Sequence, residues 1–447
     1  MSKPLPWVLG VLLLQGVYFR SPIGFSQPSQ IGVAPTGLQH LRVSPCCGLA
    51  SFAVACRDRL FTVEQAMPDL IRQEITAAAT PIVVKVGTRV LTHDNGRLNE
   101  DRIASLADQI NWIVESGRKV LVISSGAVGA GMSTMGLQQR PTDLSQLQAI
   151  AAIGQTKLIE AYDLTFHRHG HHAAQVLLTA GDLHDRTSYL NVRNTLLSLL
   201  DLATIPIVNE NDTVAVDELM TTFGDNDRLA ALVTNLIQAP LLVILSDVDG
   251  LYDGPPNQAG ASLISTVTTI DDRILSYAQT TTGGLGKGGM ASKLQAAKMA
   301  TLAGENVILA NGHTPDILRR IADGEEVGTA FLAAGKTVSP WKRWIGFSAN
   351  PQGQLTLDAG AREAVVRQGR SLLAIGILKV HGRFEKGDVV SICDEAGQEM
   401  ARGLTNYSEP ELQRIKGLRS EHIQKTLGHC LYDEIVHRDN LVLTQSE

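Results

Sequence analysis

A chain of 447 residues is too long for one ordinary domain, because domains average about 150 residues. Its 44% hydrophobic and 19% charged residues are typical of a globular protein, whereas 4% aromatic residues and a net charge of −6 argue against a dedicated nucleic-acid binder. Five cysteines without a C-x-x-C pair imply neither a disulfide framework nor a metal site, and they indicate reduced thiols in the cytoplasm.

The sequence pattern of residues 1–80 does not match that of the rest of the chain. Lys3 and the apolar run 7–14 resemble the start of a secretory signal, but no small-x-small cleavage site follows directly. The run is also shorter than the ~20 residues of a membrane span, so we expect no membrane insertion. A targeting sequence, a disordered leader and a start codon set upstream of Met67 all stay open, and we expect a leader outside the fold.

From residue 81 the chain alternates short β-branched runs with helix-period segments, which predicts a mainly parallel sheet covered by helices on both faces. Predicted strands are 82–86, 120–123, 175–178, 205–208, 241–245 and 306–310. Predicted helices begin at Asn99 and span 147–161, 189–202, 227–238 and 290–303. We therefore expect a three-layer α/β/α domain over residues 81–332, with 306–310 as its last strand.

The pattern changes after residue 332. Residues 333–353 lack clean periodicity and contain two tryptophans, so we predict a linker that packs partly on one domain. Beyond it, strand-like runs at 355–357 and 389–392 are separated by turns at 385–388 and 394–397. A small β-rich domain over residues 354–436 follows.

Ligands of open α/β sheets bind at the carboxyl ends of the strands, and those positions are polar and glycine-rich in this chain. Lys85 ends the first strand and precedes Gly87, which places a cation beside backbone that can approach phosphate, although a solvated strand end would also explain a lone lysine. The second strand runs into 124–131, where small residues let backbone N–H groups face an anion. Close helix packing is the alternative there.

Two polar clusters follow later strands, at 209–212 and at 224–227. One such cluster would be explained by helix capping, but two facing clusters suggest a binding site. Asp212 would accept an ammonium group, Asn226 would donate to a carboxylate and Asp227 would orient a lysine. The strand at 241–245 ends in Ser246 and Asp247, a suitable edge for a nucleotide.

The segment 283–293 is dense in glycine and leads into a helix, with Lys293 one turn inside it, as expected of a phosphate-holding loop. No Walker A string and no H-R-D string occurs, and the G-x-G-x-x-G match follows no strand, so the common nucleotide folds are disfavoured. Lysines on two such loops suit phosphoryl transfer to an anionic acceptor, and an ionised carboxylate needs no general base. The histidines at 167–172 are interpreted as a solvated helix end, because no carboxylate or cysteine is spaced to complete a metal shell.

Together these motifs resemble the amino-acid kinase superfamily and, within it, the glutamate 5-kinases, over residues 81–436. The strings that carry the resemblance are 83–88, 124–127, 209–212, 224–227, 246–252 and 286–293. The resemblance implies an amino-acid kinase-like sheet with a C-terminal PUA-like domain. It implies ATP-dependent phosphorylation, with Mg²⁺, of the side-chain carboxylate of L-glutamate to L-glutamyl 5-phosphate, the first step of proline biosynthesis.

The resemblance also implies residue roles. Lys85 and Lys293 would contact the transferring phosphoryl group, and Asp227 would orient both. Glutamate would be held by Ser125, Asp212 and Asn226. The residues expected to hold ATP are Lys85, Ser246, Asp247, Lys287, Gly288, Gly289, Met290, Ala291, Ser292 and Lys293. Feedback inhibition by proline and a homo-oligomer, a tetramer, are further expectations of the family.

Two departures accompany the resemblance: Arg89 stands where the family commonly has Ser, and Ser124 where Thr is common. Arg89 adds a charge beside the first phosphate loop. The nearest rival is another kinase of the superfamily, such as acetylglutamate kinase or aspartokinase. A rival of another class is an RNA-binding protein with an accessory α/β domain, and the sequence leaves open whether the PUA-like domain binds RNA.

Overall fold

The structure is a computed structural model that describes residues 69–214, 225–256, 258, 260–278, 289–334, 338–430 and 432–444. The interpretations of residues 1–68 lie outside this range. Part of the predicted leader is folded, because Leu70–Ala78 forms helix α1 with Asp69 as its N-cap. The buried Arg72 side chain donates to the carbonyl oxygens of Val327 (2.5 Å) and Ser265 (2.6 Å). The boundary at residue 80 is therefore corrected: residues 69–80 belong to the α/β fold.

Among the described residues, eight strands form one sheet. They are β1 (Ile82–Val86), β2 (Val120–Ile123), β3 (Ala173–Leu178), β4 (Ile205–Glu210), β5 (Leu241–Ser246), β6 (Thr266–Val267), β7 (Asn306–Asn311) and β8 (Thr329–Phe331). Their order is β3-β4-β2-β1-β5-β7-β8-β6, and every neighbouring pair is parallel except β7 with β8. The predicted mainly parallel sheet is confirmed.

Helices cover both faces of this sheet. They are α2 (Thr88–Leu91), α3 (Glu100–Glu115), α4 (Ala127–Thr134), α5 (Leu144–Arg168), α6 (Ala180–His184), α7 (Arg186–Asp201), α8 (Asp225–Ile237), α9 (Asp272–Tyr277), α10 (Gly289–Ala303) and α11 (Ile317–Ala322). Alternate residues of β1 enter opposite cores: Val83 packs in the cluster that contains α8 and α10, and Val84 in the one that contains α3 and α5. A helix long and apolar enough to cross a membrane is absent from the described part of the chain.

The predicted elements are present with shifted ends, and several short elements of the α/β domain were not predicted, among them α4, β6 and β8. Helix α4 is not predicted by periodicity because its glycine and alanine residues give no apolar pattern, and β6 and β8 are too short for a pattern to show. Since β8 pairs with β7, the prediction that 306–310 is the last strand of the sheet is wrong.

Helices α4 and α5 cross in unusually close contact. A Cβ atom on Gly154 would clash with the carbonyl oxygen of Ala127, and one on Gly131 with that of Ile150. Glycine therefore sets the distance between the two backbones. This crossing fixes the N-terminus of α4 and places Gln155, the next residue of α5, beside the ends of β2 and β4.

Gly154→Ala is expected to lower the free energy of unfolding by about 1–3 kcal/mol, because overpacking here outweighs the gain in helix propensity. Urea denaturation measures the change. Thr156→Ala, at an exposed position of the same helix, is the matched control and should be nearly neutral. A Gly154→Ala protein that is more stable than the parent would show that the helices can separate without cost.

The C-terminal region forms a second, separate sheet. Its strands are β9 (Gly353–Leu357), β11 (Ile377–Gly382), β12 (Val389–Cys393), β13 (Glu399–Leu404) and β15 (Leu441–Leu443), in the order β11-β9-β12-β13-β15. A short pair, β10 (Leu372–Leu373) and β14 (Glu434–Val436), and helices α13 (Ala359–Val366), α14 (Glu409–Ile415) and α15 (Ser420–Leu427) complete it. The predicted β-rich module is confirmed.

The segment between the two sheets is buried. Pro340–Arg343 forms helix α12 and Trp344–Ser348 a single π-helical turn whose residues are all buried. Apolar side chains of this turn join Val389, Leu404 and Val442 of the C-terminal sheet to the core of the α/β domain. The segment predicted as a linker therefore extends the core of the α/β domain to one face of the C-terminal sheet, which also has a core of its own.

Candidate active site

A cleft of about 490 Å³ opens where the carboxyl ends of β1, β2, β4 and β5 meet the N-termini of α4, α8 and α10. Ten of the residues to which the sequence assigns a catalytic or binding role line it: Lys85, Ser125, Asp212, Asn226, Asp227, Ser246, Asp247, Gly289, Ser292 and Lys293. Met290 and Ala291 follow Gly289 on α10 without lining the cleft. Lys287 and Gly288 lie outside the described residues.

Asp227 lies between two lysines at the centre of the cleft. Its Oδ1 is 2.5 Å from Lys85 Nζ and its Oδ2 is 3.1 Å from Lys293 Nζ. The Ser292 hydroxyl also donates to Oδ2 (2.7 Å). One carboxylate therefore fixes both ammonium groups at the bottom of the cleft.

The charge of Asp227 is secure at every physiological pH. Burial alone would raise the pKa of this carboxyl, but the charges of Lys85 and Lys293 and their hydrogen bonds outweigh it and lower the pKa to about 2. Two cations share one anion here, so the group keeps a net positive charge. A group of this kind can attract phosphate while its lysines stay in position.

A second polar cluster lies at the end of β4. Gln155 of α5 donates through Nε2 to the carbonyl oxygen of Glu210 (3.3 Å) and to Asp212 Oδ2 (3.2 Å). Its Oε1 accepts from Asn209 Nδ2 (3.3 Å). The glutamine therefore holds the chain from Asn209 to Asp212 in one conformation.

Asp212 differs electrostatically from Asp227. Burial raises its pKa to about 6, and the hydrogen bond from Gln155 and the charge of Arg140 only partly oppose that rise. No lysine pairs with Asp212 among the described residues. A partly desolvated carboxylate of this kind would gain from a cationic ligand.

Asn226 lies at the start of α8, next to Asp227. Its Nδ2 donates to the carbonyl oxygen of Ser124 (3.1 Å) and to Asn209 Oδ1 (3.4 Å). Its Oδ1 is buried and accepts no hydrogen bond. The amide therefore ties the ends of β2 and β4 to the start of α8.

Ser125 connects two neighbouring strands at the floor of the cleft. Its hydroxyl donates to the carbonyl oxygen of Val86 (2.6 Å). Gly126 follows with φ = +94°, a conformation that favours glycine, and α4 begins after it. The turn places the N-terminus of α4 at the cleft, and α4 also packs closely against α5. The anion-facing role of residues 124–131 stays a prediction.

The opposite end of the cleft is formed by Ser246 and Asp247 at the end of β5. Ser246 donates to Asp247 Oδ1 (3.0 Å), and Arg89 of α2 lies 2.8 Å from Oδ2. Burial opposes ionisation of Asp247, but the hydrogen bond from Arg89 leads the contributions that lower its pKa overall. The departure at Arg89 thus adds a carboxylate-paired cation to this end.

The described residues contain no group of three His, Cys, Asp or Glu side chains that could hold a metal ion. His169 contacts Asp108 (3.1 Å) on an exposed surface away from the cleft. This position agrees with the interpretation of the histidines as a solvated helix end.

Three residues of the site were not predicted individually from the sequence. They are Gln155, Asn209 and Arg140. Gln155 gave a usable signal, since it is a polar residue on the buried, otherwise apolar face of α5. Arg140 gave none, because it lies in a loop without a motif and reaches the cleft only through the fold.

Comparison with known proteins agrees with this fold. A profile of the amino acid kinase family matches residues 80–311, and one of the PUA domain matches residues 353–427. A glutamate 5-kinase of Rhodopirellula baltica is 48% identical over 373 residues, which are 83% of this chain and 96% of that protein. Glutamate 5-kinases of Thermoanaerobacter sp. (45% identity; 81% and 98% covered) and Geobacter metallireducens (46%; 83% and 100%) are similar too.

Proposed function

Because the chain belongs to the amino acid kinase family and, within it, to the glutamate 5-kinases, we propose that it phosphorylates the side-chain carboxylate of L-glutamate with ATP. A carboxylate oxygen of glutamate forms a bond to the γ-phosphorus, and the bond from that phosphorus to the ADP oxygen breaks. The products are L-glutamyl 5-phosphate and ADP, and the reaction opens proline biosynthesis.

The observation that carries this proposal is the pair of lysines fixed by Asp227 between two unlike ends of one cleft. Both reactants are anionic, so transfer requires positive charge that is in place before the reaction. Lys85 and Lys293 supply it at the point where γ-phosphate and acceptor meet. The acceptor is ionised at neutral pH, so the site needs no general base.

The positions of the described residues in the cleft support the proposed roles. Asp227 orients the two lysines, and Ser125, Asp212 and Asn226 hold glutamate. Ser246 and Asp247 at the end of β5 hold ATP together with the segment 287–293. We also propose a division into an amino-acid kinase domain over 69–332, with its start moved from residue 81 to include α1, and a PUA-like domain over 354–436, with 333–353 between them.

The residues at the nucleotide end of the cleft are compatible with Mg²⁺ bound together with ATP. Proteins bind Mg²⁺ mostly through one or two carboxylates plus substrate phosphates, and Asp247 is a carboxylate at the nucleotide end. When bound, Mg²⁺ would offset the negative charge of the phosphates. Inhibition by proline and a tetramer stay predictions of the family resemblance, and a cytoplasmic location stays a prediction from the cysteine content. The sequence leaves RNA binding by the PUA-like domain open.

Hydroxylamine trapping of the acyl phosphate tests the function directly. With ATP and Mg²⁺, glutamate should be the best acceptor when it is compared with aspartate and N-acetylglutamate. A better reaction with either of the other two would refute the assignment. A salt-sensitive RNA complex without ATP turnover would favour the RNA-binding rival.

The pH dependence of glutamate use should follow Asp212. An ammonium group binds the ionised carboxylate, so kcat/KM for glutamate is expected to rise between about pH 5 and pH 7 and then level off, since the pKa of Asp212 is raised to about 6. Asp227, with a pKa lowered to about 2, does not titrate in this range. Steady-state kinetics across this interval measure the profile.

Asp212→Asn is the comparison for that profile. It should remove the rise near pH 6 and increase KM for glutamate by about 10- to 100-fold, the cost of a lost charged contact. If the rise persists in this variant, another group causes it.

A further inference from the structure

Free glutamate carries a positively charged α-ammonium group and a negatively charged α-carboxylate group. The acceptor end of the cleft must bind both. The proposed function assigns its α-ammonium to Asp212, whose carboxylate contacts Gln155 and no lysine or arginine within 4.0 Å among the described residues. The α-carboxylate requires a donor. Burying the α-carboxylate without a cation or several N–H donors would cost free energy, and this cost would cancel the binding free energy gained from the ammonium contact.

Asn226, the donor expected from the sequence, has its amide nitrogen engaged. Both of its N–H groups are accounted for by the carbonyl oxygen of Ser124 and by Asn209 Oδ1. Its unpartnered atom is the buried Oδ1, which can only accept. Asn226 therefore has no free donor to offer the α-carboxylate.

Of the described residues that line the cleft, four carry a fixed positive charge: Lys85, Arg89, Arg140 and Lys293. Lys85 and Lys293 pair with Asp227, and Arg89 pairs with Asp247 at the nucleotide end. Arg140 is exposed and forms no salt bridge with the described residues. It also lies close enough to Asp212 for the two charges to interact.

We propose that Arg140 binds the α-carboxylate of glutamate, opposite an ammonium group held by Asp212. A guanidinium can bind a carboxylate through two parallel N–H groups, so the contact fixes orientation as well as charge. Arg140 and Asp212 then recognise the amino-acid group as a pair, and the side-chain carboxylate is left to face Lys85 and Lys293. This inference rests on the proposed function and specifies how its substrate is selected.

Arg140→Gln is expected to raise KM for glutamate by about 10- to 100-fold, with kcat and KM for ATP changed less than about threefold, because the contact is present equally before and during transfer. Arg140→Lys keeps the charge but loses the bidentate geometry, so its KM for glutamate should lie between those of the parent and Arg140→Gln proteins. Steady-state kinetics with hydroxylamine trapping give both constants. Arg370→Gln, an exposed arginine of the C-terminal region, is the matched control.

Two substrate analogues separate this role from a general loss of charge. Glutarate keeps both carboxylates and lacks the ammonium group, so Arg140→Gln should weaken its competition against glutamate. 4-Aminobutyrate lacks the α-carboxylate, so its inhibition constant should be the same for the parent and Arg140→Gln proteins.

The inference is overturned if Arg140→Gln leaves KM for glutamate unchanged while the parent enzyme phosphorylates glutamate. The backbone N–H groups at the start of α4 would then hold the α-carboxylate. It is also overturned if both analogues weaken equally, which would indicate a nonspecific electrostatic effect. Failure of the parent enzyme to use glutamate would instead refute the proposed function.

Discussion

Lys293→Ala is expected to lower kcat by about 100- to 1,000-fold, the loss typical of removing one preorganised charge from a polar active site. Lys85→Ala should have an effect of the same order. Each lysine is held on Asp227 and lines the cleft in which we propose that the γ-phosphoryl group is transferred. Charge develops there only during transfer, so kcat and kcat/KM should fall together. Hydroxylamine trapping under saturating glutamate and ATP measures kcat.

Lys298→Ala is the matched control, because Lys298 is on the same helix and does not line the cleft. It should keep kcat within about twofold, as should Cys393→Ser in the C-terminal sheet. An equal loss in either control would invalidate the site assignment. Combining Lys293→Ala with Asp227→Asn should cost less than the sum of the single changes, because the two groups act as a unit.

Glu305→Gln is expected to lower the free energy of unfolding by about 3–5 kcal/mol, because it leaves a buried guanidinium without its counter-charge. Glu305 lies between α10 and β7 and forms an ion pair with Arg343 of α12, with both side chains at most 2% exposed. Arg343 Nε also donates to the carbonyl oxygen of Val338 (2.6 Å). Chemical denaturation followed by circular dichroism measures the loss.

The matched control is the exposed pair of Arg320 and Glu325, which is 2.6 Å apart with side chains 40% and 48% exposed. Glu325→Gln should cost at most about 1 kcal/mol, as surface pairs do. The double change Glu305→Leu with Arg343→Met should recover most of the loss, since apolar residues of similar volume can replace a buried pair. Equal small losses for Glu305→Gln and Glu325→Gln would show that water reaches the buried pair.

The sheet and most of the cleft were predictable because they depend on local pattern. Strands such as Ile82–Val86 are buried on both faces and bounded by turn residues, and a parallel sheet brings their carboxyl ends together whatever the connections are. Lys85, Asp212 and Ser246 could therefore be assigned to one site from the sequence alone.

What could not be predicted depends on contacts between distant segments. Gln155 reaches Asp212 only because Gly154 lets α5 approach α4, and no spacing in the sequence records that crossing. Arg72 belongs to the fold because carbonyl groups far along the chain accept from it. Trp344–Ser348 is buried because it packs against residues of both domains, and the sequence of this segment shows no periodic pattern that would predict it.

That buried turn also limits how this protein can exchange parts with its relatives. Gly346 lies under Val442, where a Cβ atom would meet the valine side chain, and Trp341 donates to Asn440 Oδ1 (2.9 Å). Arg186 of the α/β domain stacks over both Trp341 and Trp344. A chimaera joined at residue 353 would inherit one half of this surface from each parent, so evolutionary loss or swapping of the C-terminal module requires coordinated changes on both sides of the joint.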